Sequence, residues 1–125
     1  MKDDTIIFNS RDTLLRFKLS QIIYFEADKN YTALHLSNCQ KIILSLSLKV
    51  VQQYLSGSLK KDSNLFARVG KSHIINLSYL YQITIPNQLL KLYIPEHDRE
   101  VVLNISRDAL KSLKSMYKTN MYEGD

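Results

Sequence analysis

Ile22-Ile23-Tyr24-Phe25-Glu26-Ala27-Asp28-Lys29-Asn30-Tyr31-Thr32-Ala33-Leu34-His35-Leu36 sets two apolar runs on either side of a polar tetrad. The runs are rich in β-branched and aromatic side chains, which pack well on a pleated surface. Ala27-Asp28-Lys29-Asn30 carries side chains that hydrogen-bond their own backbone in turns. The spacing predicts strands over 21–26 and 31–36 joined by that turn.

The same alternation extends outward in both directions. Strand-like runs at 5–9, 14–18 and 40–44 are separated by Asn9-Ser10-Arg11-Asp12 and Ser37-Asn38, which together read as a β-meander. From Ser47 the period changes. At about 100° per residue Leu48, Val50, Val51, Tyr54 and Leu55 share one side, opposite Lys49, Gln52 and Gln53. This is an amphipathic helix with Ser47 as its N-cap and Gly57 as its left-handed end. Lys60-Lys61-Asp62-Ser63-Asn64 then reads as a solvated loop.

Further strands are expected at 65–69, 79–85, 88–94 and 100–105, with Pro86-Asn87 as a hairpin turn and 95–99 as a polar loop. A second helix, capped by Ser106, lines up Ala109, Leu110, Leu113, Met116 and Tyr117 on its apolar face. Opposite them Arg107, Lys111, Lys114 and Lys118 fall within about 60° on the helical wheel. Such a basic stripe suits a solvated surface and an anion-binding face equally. The expected class is therefore mainly β, with one short internal helix and a C-terminal helix.

A chain of 125 residues, 45% hydrophobic, has enough apolar material for one core. A single domain over 1–125 is expected, its core running from about 5 to about 118. Against 12 Asp+Glu there are 17 Lys+Arg, a net +5 that favours a polyanion such as nucleic acid or an anionic membrane surface. The lone Cys39 cannot form an internal disulfide, so the cytoplasm is the expected compartment. The apolar patch at 6–8 is too short for a signal-peptide core, and no apolar run approaches the ~20 residues of a membrane span.

Catalytic chemistry has few candidates. His35, His73 and His97 form no helical pair at metal-ligand spacing, and Cys39 lacks a second cysteine to complete a zinc site. Gly57, Gly70 and Gly124 are too far apart for a phosphate-binding loop. Glu26 and Asp28 at a strand end serve to solvate the turn or to pair with Lys29. No enzymatic activity, metal, cofactor or small-molecule substrate is expected.

Residues 22–32, followed by Leu34-His35-Leu36, resemble the opening signature of LytTR DNA-binding domains. So does the order of the later blocks: Ser45-Leu46-Ser47-Leu48 before the helix, then Phe66-Ala67-Arg68-Val69-Gly70-Lys71-Ser72-His73-Ile74-Ile75-Asn76-Leu77, then Leu103-Asn104-Ile105-Ser106-Arg107. The resemblance implies an elongated fold of packed β-sheets whose loops enter successive major grooves of duplex DNA, in a transcriptional regulator. Members usually follow a receiver domain. Few residues precede the first block here, so a stand-alone domain without a built-in receiver is expected. Paired direct sites and a homodimer on DNA are further implications, while the family often has His where this chain has Gly70.

Carried over by motif, the DNA-facing residues are Lys29, Asn30 and Tyr31, then Lys71, Ser72 and His73, then Arg107, with Lys111 extending the contact. Arg107 and Asn30 are the expected base readers, since Arg pairs with guanine and Asn with adenine in the major groove. Lys71 suits a base or a phosphate, and Lys29, Tyr31, Ser72 and His73 suit the DNA backbone. Structural alternatives stand beside these roles: a tight turn for Asn30, half-burial for Tyr31, an interior partner for His73. Asn76 is expected to do structural work, and Arg68 to meet a phosphate or a carboxylate such as Glu26. The reading requires the turns carrying Asn30, Lys71 and Arg107 to share one positive edge. The competing class is a protein-interaction module that has lost DNA binding, followed by RNA binding, which would call for stacking aromatics on an open sheet.

Overall fold

The computed structural model describes residues 5–58 and 65–117. The loop at 60–64, Lys118 and Gly124 lie outside the described residues. In chain order the elements are β1 (Thr5–Asn9), β2 (Leu14–Lys18), β3 (Ile22–Asp28), β4 (Tyr31–Leu36), β5 (Lys41–Leu44), α1 (Leu48–Ser58), β6 (Phe66–Val69), β7 (His73–Asn76), β8 (Leu80–Thr84), β9 (Leu89–Ile94), β10 (Arg99–Asn104) and α2 (Arg107–Lys114). Short 3-10 turns occupy Leu19–Gln21, Leu77–Tyr79 and Pro95–His97.

Among the described residues every strand pairing is antiparallel, in three sheets: β1-β2, β5-β4-β3-β7-β6 and β10-β9-β8. The expected meander is correct for β3-β4-β5 only. β1 and β2 form a separate hairpin sheet, and β3 takes β7 as its other neighbour.

The five-stranded sheet is the middle layer, with an apolar core on each side. On one side Ile22, Phe25, Leu34, Leu36 and Ile74 pack against Ile6 and Phe8 of the hairpin and Leu48, Val51 and Leu55 of α1. On the other, Ile23, Tyr24, Val69 and Ile75 meet Leu90, Leu92 and Ile94 of β9 and Leu110 and Leu113 of α2. Burying each Ile or Leu is worth about 2 kcal/mol, so both faces of β3 and β7 contribute. This explains why Ile22-Ile23-Tyr24-Phe25 is apolar without alternation. An irregularity between Ile22 and Tyr24 shifts the register on β4 by one residue. The extra residue in this bulge lets Ile23 and Tyr24 share one core while Ile22 and Phe25 share the other.

Several sequence expectations need correction. β7 is a strand the sequence pattern does not signal, because its run His73-Ile74-Ile75-Asn76 has only two isoleucines in four residues and reads as part of a loop. The turn after β3 is two residues long, because Ala27 and Asp28 pair with Thr32 and Tyr31. Ser47 does accept a hydrogen bond from the Val50 amide (3.3 Å). Gly57, however, lies inside α1 without positive φ, so it does not close the helix. Met116 and Tyr117 follow the end of α2 and are 53% and 48% exposed, outside the apolar face assigned to them.

Candidate nucleic-acid interface

The β3-β4 hairpin closes through Lys29-Asn30, between the paired residues Asp28 and Tyr31. The left-handed backbone of this turn falls on Lys29 (φ 58°), not on Asn30. Asn30 thus does not supply the turn's positive-φ residue, the feature for which Asn is usually chosen. Lys29, Asn30 and Tyr31 are all exposed, Tyr31 at 49%.

The second turn, Gly70-Lys71-Ser72, joins β6 to β7 at the same end of the sheet, since β7 lies beside β3 with His73 opposite Glu26. The Ala27 amide donates to the Ser72 carbonyl (2.8 Å), tying the two turns together. Gly70 has φ +66°, and a Cβ placed on it would lie 3.4 Å from Ala109 Cβ of α2. The left-handed backbone favours glycine at this position, while the contact with Ala109 is of ordinary van der Waals length. Lys71 and Ser72 are exposed.

His73 is placed differently. Its side chain is 13% exposed, with Nε2 3.7 Å from Glu26 Oε2. The other Glu26 oxygen lies 3.3 Å from His35 Nε2. His35 stacks on Tyr24 with ring centroids 4.1 Å apart and planes 7° from parallel. His73 therefore has the interior partner weighed as its structural alternative. Arg68 does not pair with Glu26; its guanidinium donates to Gln52 Oε1 (2.9 Å) and to the Lys71 carbonyl (2.8 Å).

Burial holds both histidines below the ordinary histidine range, against the opposing pull of Glu26. Lys41 and Arg99 push His35 further the same way. Burial, reinforced by Glu26, pushes the Tyr24 hydroxyl up to about 12. Folding favours the neutral imidazoles, so the unfolded chain binds more protons below its ordinary histidine pKa of about 6.5. The resulting stability is fully present above that value and lost as pH falls below it. Urea midpoints should therefore drop as pH falls through and below about 6.5, and a His35→Gln/His73→Gln double variant should flatten the drop. An unchanged slope in that variant assigns the acid sensitivity to other groups.

The third element is the head of α2. Ser106 caps it, its hydroxyl accepting from the Ala109 amide (3.3 Å). An open cleft of about 640 Å³ separates the β6-β7 turn from this helix, bordered among others by Lys71, Ser72, Ser106, Asp108 and Ser112. Arg107, Lys111 and Lys114 are exposed but do not border the cleft. At about 100° per residue they sit on the far flank of the helix, roughly opposite the residues that border the cleft. Arg107 reaches instead toward the β8-β9 turn, donating to the Pro86 carbonyl (3.4 Å). That turn is docked on the segment before α2 by the Ile105 amide, which donates to the Gln88 carbonyl (2.9 Å). Asn87, exposed in that turn, directly follows the Pro86 whose carbonyl accepts from Arg107. Pro86-Asn87 signals a turn locally, but its proximity to Arg107 is a tertiary fact.

The structure thus brings Lys29-Asn30 together with Lys71-Ser72 and sets Ser106 and Asp108 of the α2 head across the cleft from the second turn, with Arg107 and Lys111 on the helix's far flank. Among the described residues no group of three or more His, Cys, Asp or Glu is placed to hold a metal ion. No helix among them is long and apolar enough to cross a membrane.

The family model of the LytTr DNA-binding domain matches residues 12–118, nearly the whole length over which these elements run. The chain belongs to the LytTr DNA-binding domain family. A LytTr DNA-binding domain from a Bacillus cereus protein has the same fold, with a TM-score of 0.58 over 92% of this chain and 97% of that one at 19% identity. No curated protein matches in sequence. Membership in the LytTr family makes this a DNA-binding domain of the kind found in transcription regulators.

Proposed function

We propose that this LytTr domain binds duplex DNA sequence-specifically, in the cytoplasm, through the edge built from its β3-β4 turn, β6-β7 turn and α2 head. The observation that carries this reading is the tie from Ala27 to the Ser72 carbonyl, because it gives the two cationic turns a fixed mutual geometry. Exposed Lys29, Tyr31, Ser72 and Lys111 contact the DNA backbone, and Lys71 contacts a base or a phosphate. Asn30 and Arg107 read base edges as the turns enter successive major grooves. His73 supports the second turn from behind through Glu26. Arg107 is available for this task because its hydrogen bond among the described residues, at 3.4 Å to a neutral carbonyl, is weaker than a bidentate pair with guanine.

Fluorescence anisotropy with a labelled duplex, repeated over a salt series, tests the mechanism. With Lys29, Lys71 and Lys111 on phosphates, log K should fall against log salt with a slope of about −3, at roughly 0.9 per phosphate. Binding that ignores salt would remove the phosphate contacts from the mechanism, and no binding at all would favour a protein-interaction module. Fragments selected from a random duplex library give the operator, and their internal spacing tests paired direct sites and a homodimer on DNA.

A further inference from the structure

Arg68 is the cation at this edge whose task the DNA reading does not include. It is exposed on β6, yet both terminal nitrogens of its guanidinium are engaged by the protein, one by Gln52 of α1 and one by the Lys71 carbonyl. We propose that Arg68 is a positioning residue for Lys71, a brace running from α1 to the β6-β7 turn that sets the direction in which the turn presents its side chains. The inference rests on the reading of that turn as DNA-facing.

Three restraints act on three consecutive residues. Gly70 reverses the chain with positive φ against Ala109 of α2. The Ser72 carbonyl is held by the Ala27 amide of β3. Between them the Lys71 carbonyl has no strand partner, and Arg68 supplies the donor at 2.8 Å. The brace has a rigid footing, because Leu48, Val51 and Leu55 bury the inner face of α1 while Gln52 stands on its outer face. A guanidinium is suited to this post: its donors form a planar fork that meets two acceptors at a fixed angle. Lysine carries the same charge on a flexible stem and cannot reproduce the fork.

That difference separates a brace from a direct phosphate contact, for which a lysine would substitute well. The full chain is compared with Arg68→Lys, Arg68→Ala, Gln52→Ala, Lys71→Ala and Arg68→Ala/Lys71→Ala. Two measurements are made: affinity for a duplex selected from the random library, and amide exchange of residues 70–72 in the free protein. Arg68→Lys should lose about as much affinity as Arg68→Ala, roughly tenfold, and Gln52→Ala about threefold with no change of charge. Lys71→Ala should add less than about twofold in the Arg68→Ala background, because contacts that act as one unit are not additive. Exchange in the turn should accelerate in both Arg68 variants.

Wild-type affinity in Arg68→Lys, additive losses, or unchanged exchange in the turn would each overturn the brace. Absence of duplex binding by the unmodified chain would instead end the DNA reading. The exchange measurement needs no DNA, so it still decides whether Arg68 orders the turn.

Discussion

Replacing Asn76 with alanine is expected to lower the unfolding free energy by about 3 kcal/mol, the upper range for a single polar side chain. Asn76 is fully buried, and its amide nitrogen donates to the carbonyls of Ile22 (2.8 Å) and Leu19 (3.3 Å). Its oxygen accepts from the amide (3.0 Å) and hydroxyl (2.6 Å) of Ser78. One side chain thereby ties the end of β7 to the start of β3 across the middle sheet. Alanine would leave these groups without their partner where water has poor access, so desolvation adds to the loss of the bonds themselves. Urea denaturation measures the effect, and a loss under about 1 kcal/mol would mean that the site relaxes or admits water.

Arg107→Ala is the second large expected effect, this time on recognition. Affinity for the selected duplex should fall by about 1–3 kcal/mol, and preference should relax at one position of the site. Stability should change little, because Arg107 is exposed and its contact with the Pro86 carbonyl is long at 3.4 Å. Measured affinity and site preference that both survive the change would show that Arg107 reads no base. A uniform loss on every sequence would make it a phosphate contact.

Local chemistry carried most of the architecture into the sequence. The β3-β4 hairpin, α1 with its Ser47 cap, the β8-β9 turn at Pro86-Asn87 and the Ser106 cap of α2 were all legible from periodicity and turn residues. What escaped depends on neighbours distant in the chain. β7 has four residues and is recognisable only by its place between β3 and β6. Gly57 does not take the left-handed conformation expected of it, whereas Gly70, given no backbone role in advance, takes it at the β6-β7 reversal. Met116 lies beyond the helix that the apolar period suggested.

The candidate site divides along the same line. Resemblance pointed to the β3-β4 turn with Lys29 and Asn30, the β6-β7 turn with Lys71 and Ser72, and Arg107, which the structure places at the first position of α2. It could not foresee that the sheet turns His73 toward Glu26, that Arg68 serves Gln52 and the Lys71 carbonyl, or that Arg107 reaches the Pro86 carbonyl. Each of these is a contact across elements, and none is written in local sequence.

The order of strands in the middle sheet also bears on how the molecule comes into being. β3 and β4 can zip together as soon as both exist, but β3 keeps one edge open until β7, roughly fifty residues later, arrives to fill it. Closure over such a separation makes loop entropy a large part of the folding barrier and slows folding relative to helical chains of this size. During synthesis that open edge is exposed to mispairing, and the arrival of the segment ending in Asn76 removes the hazard.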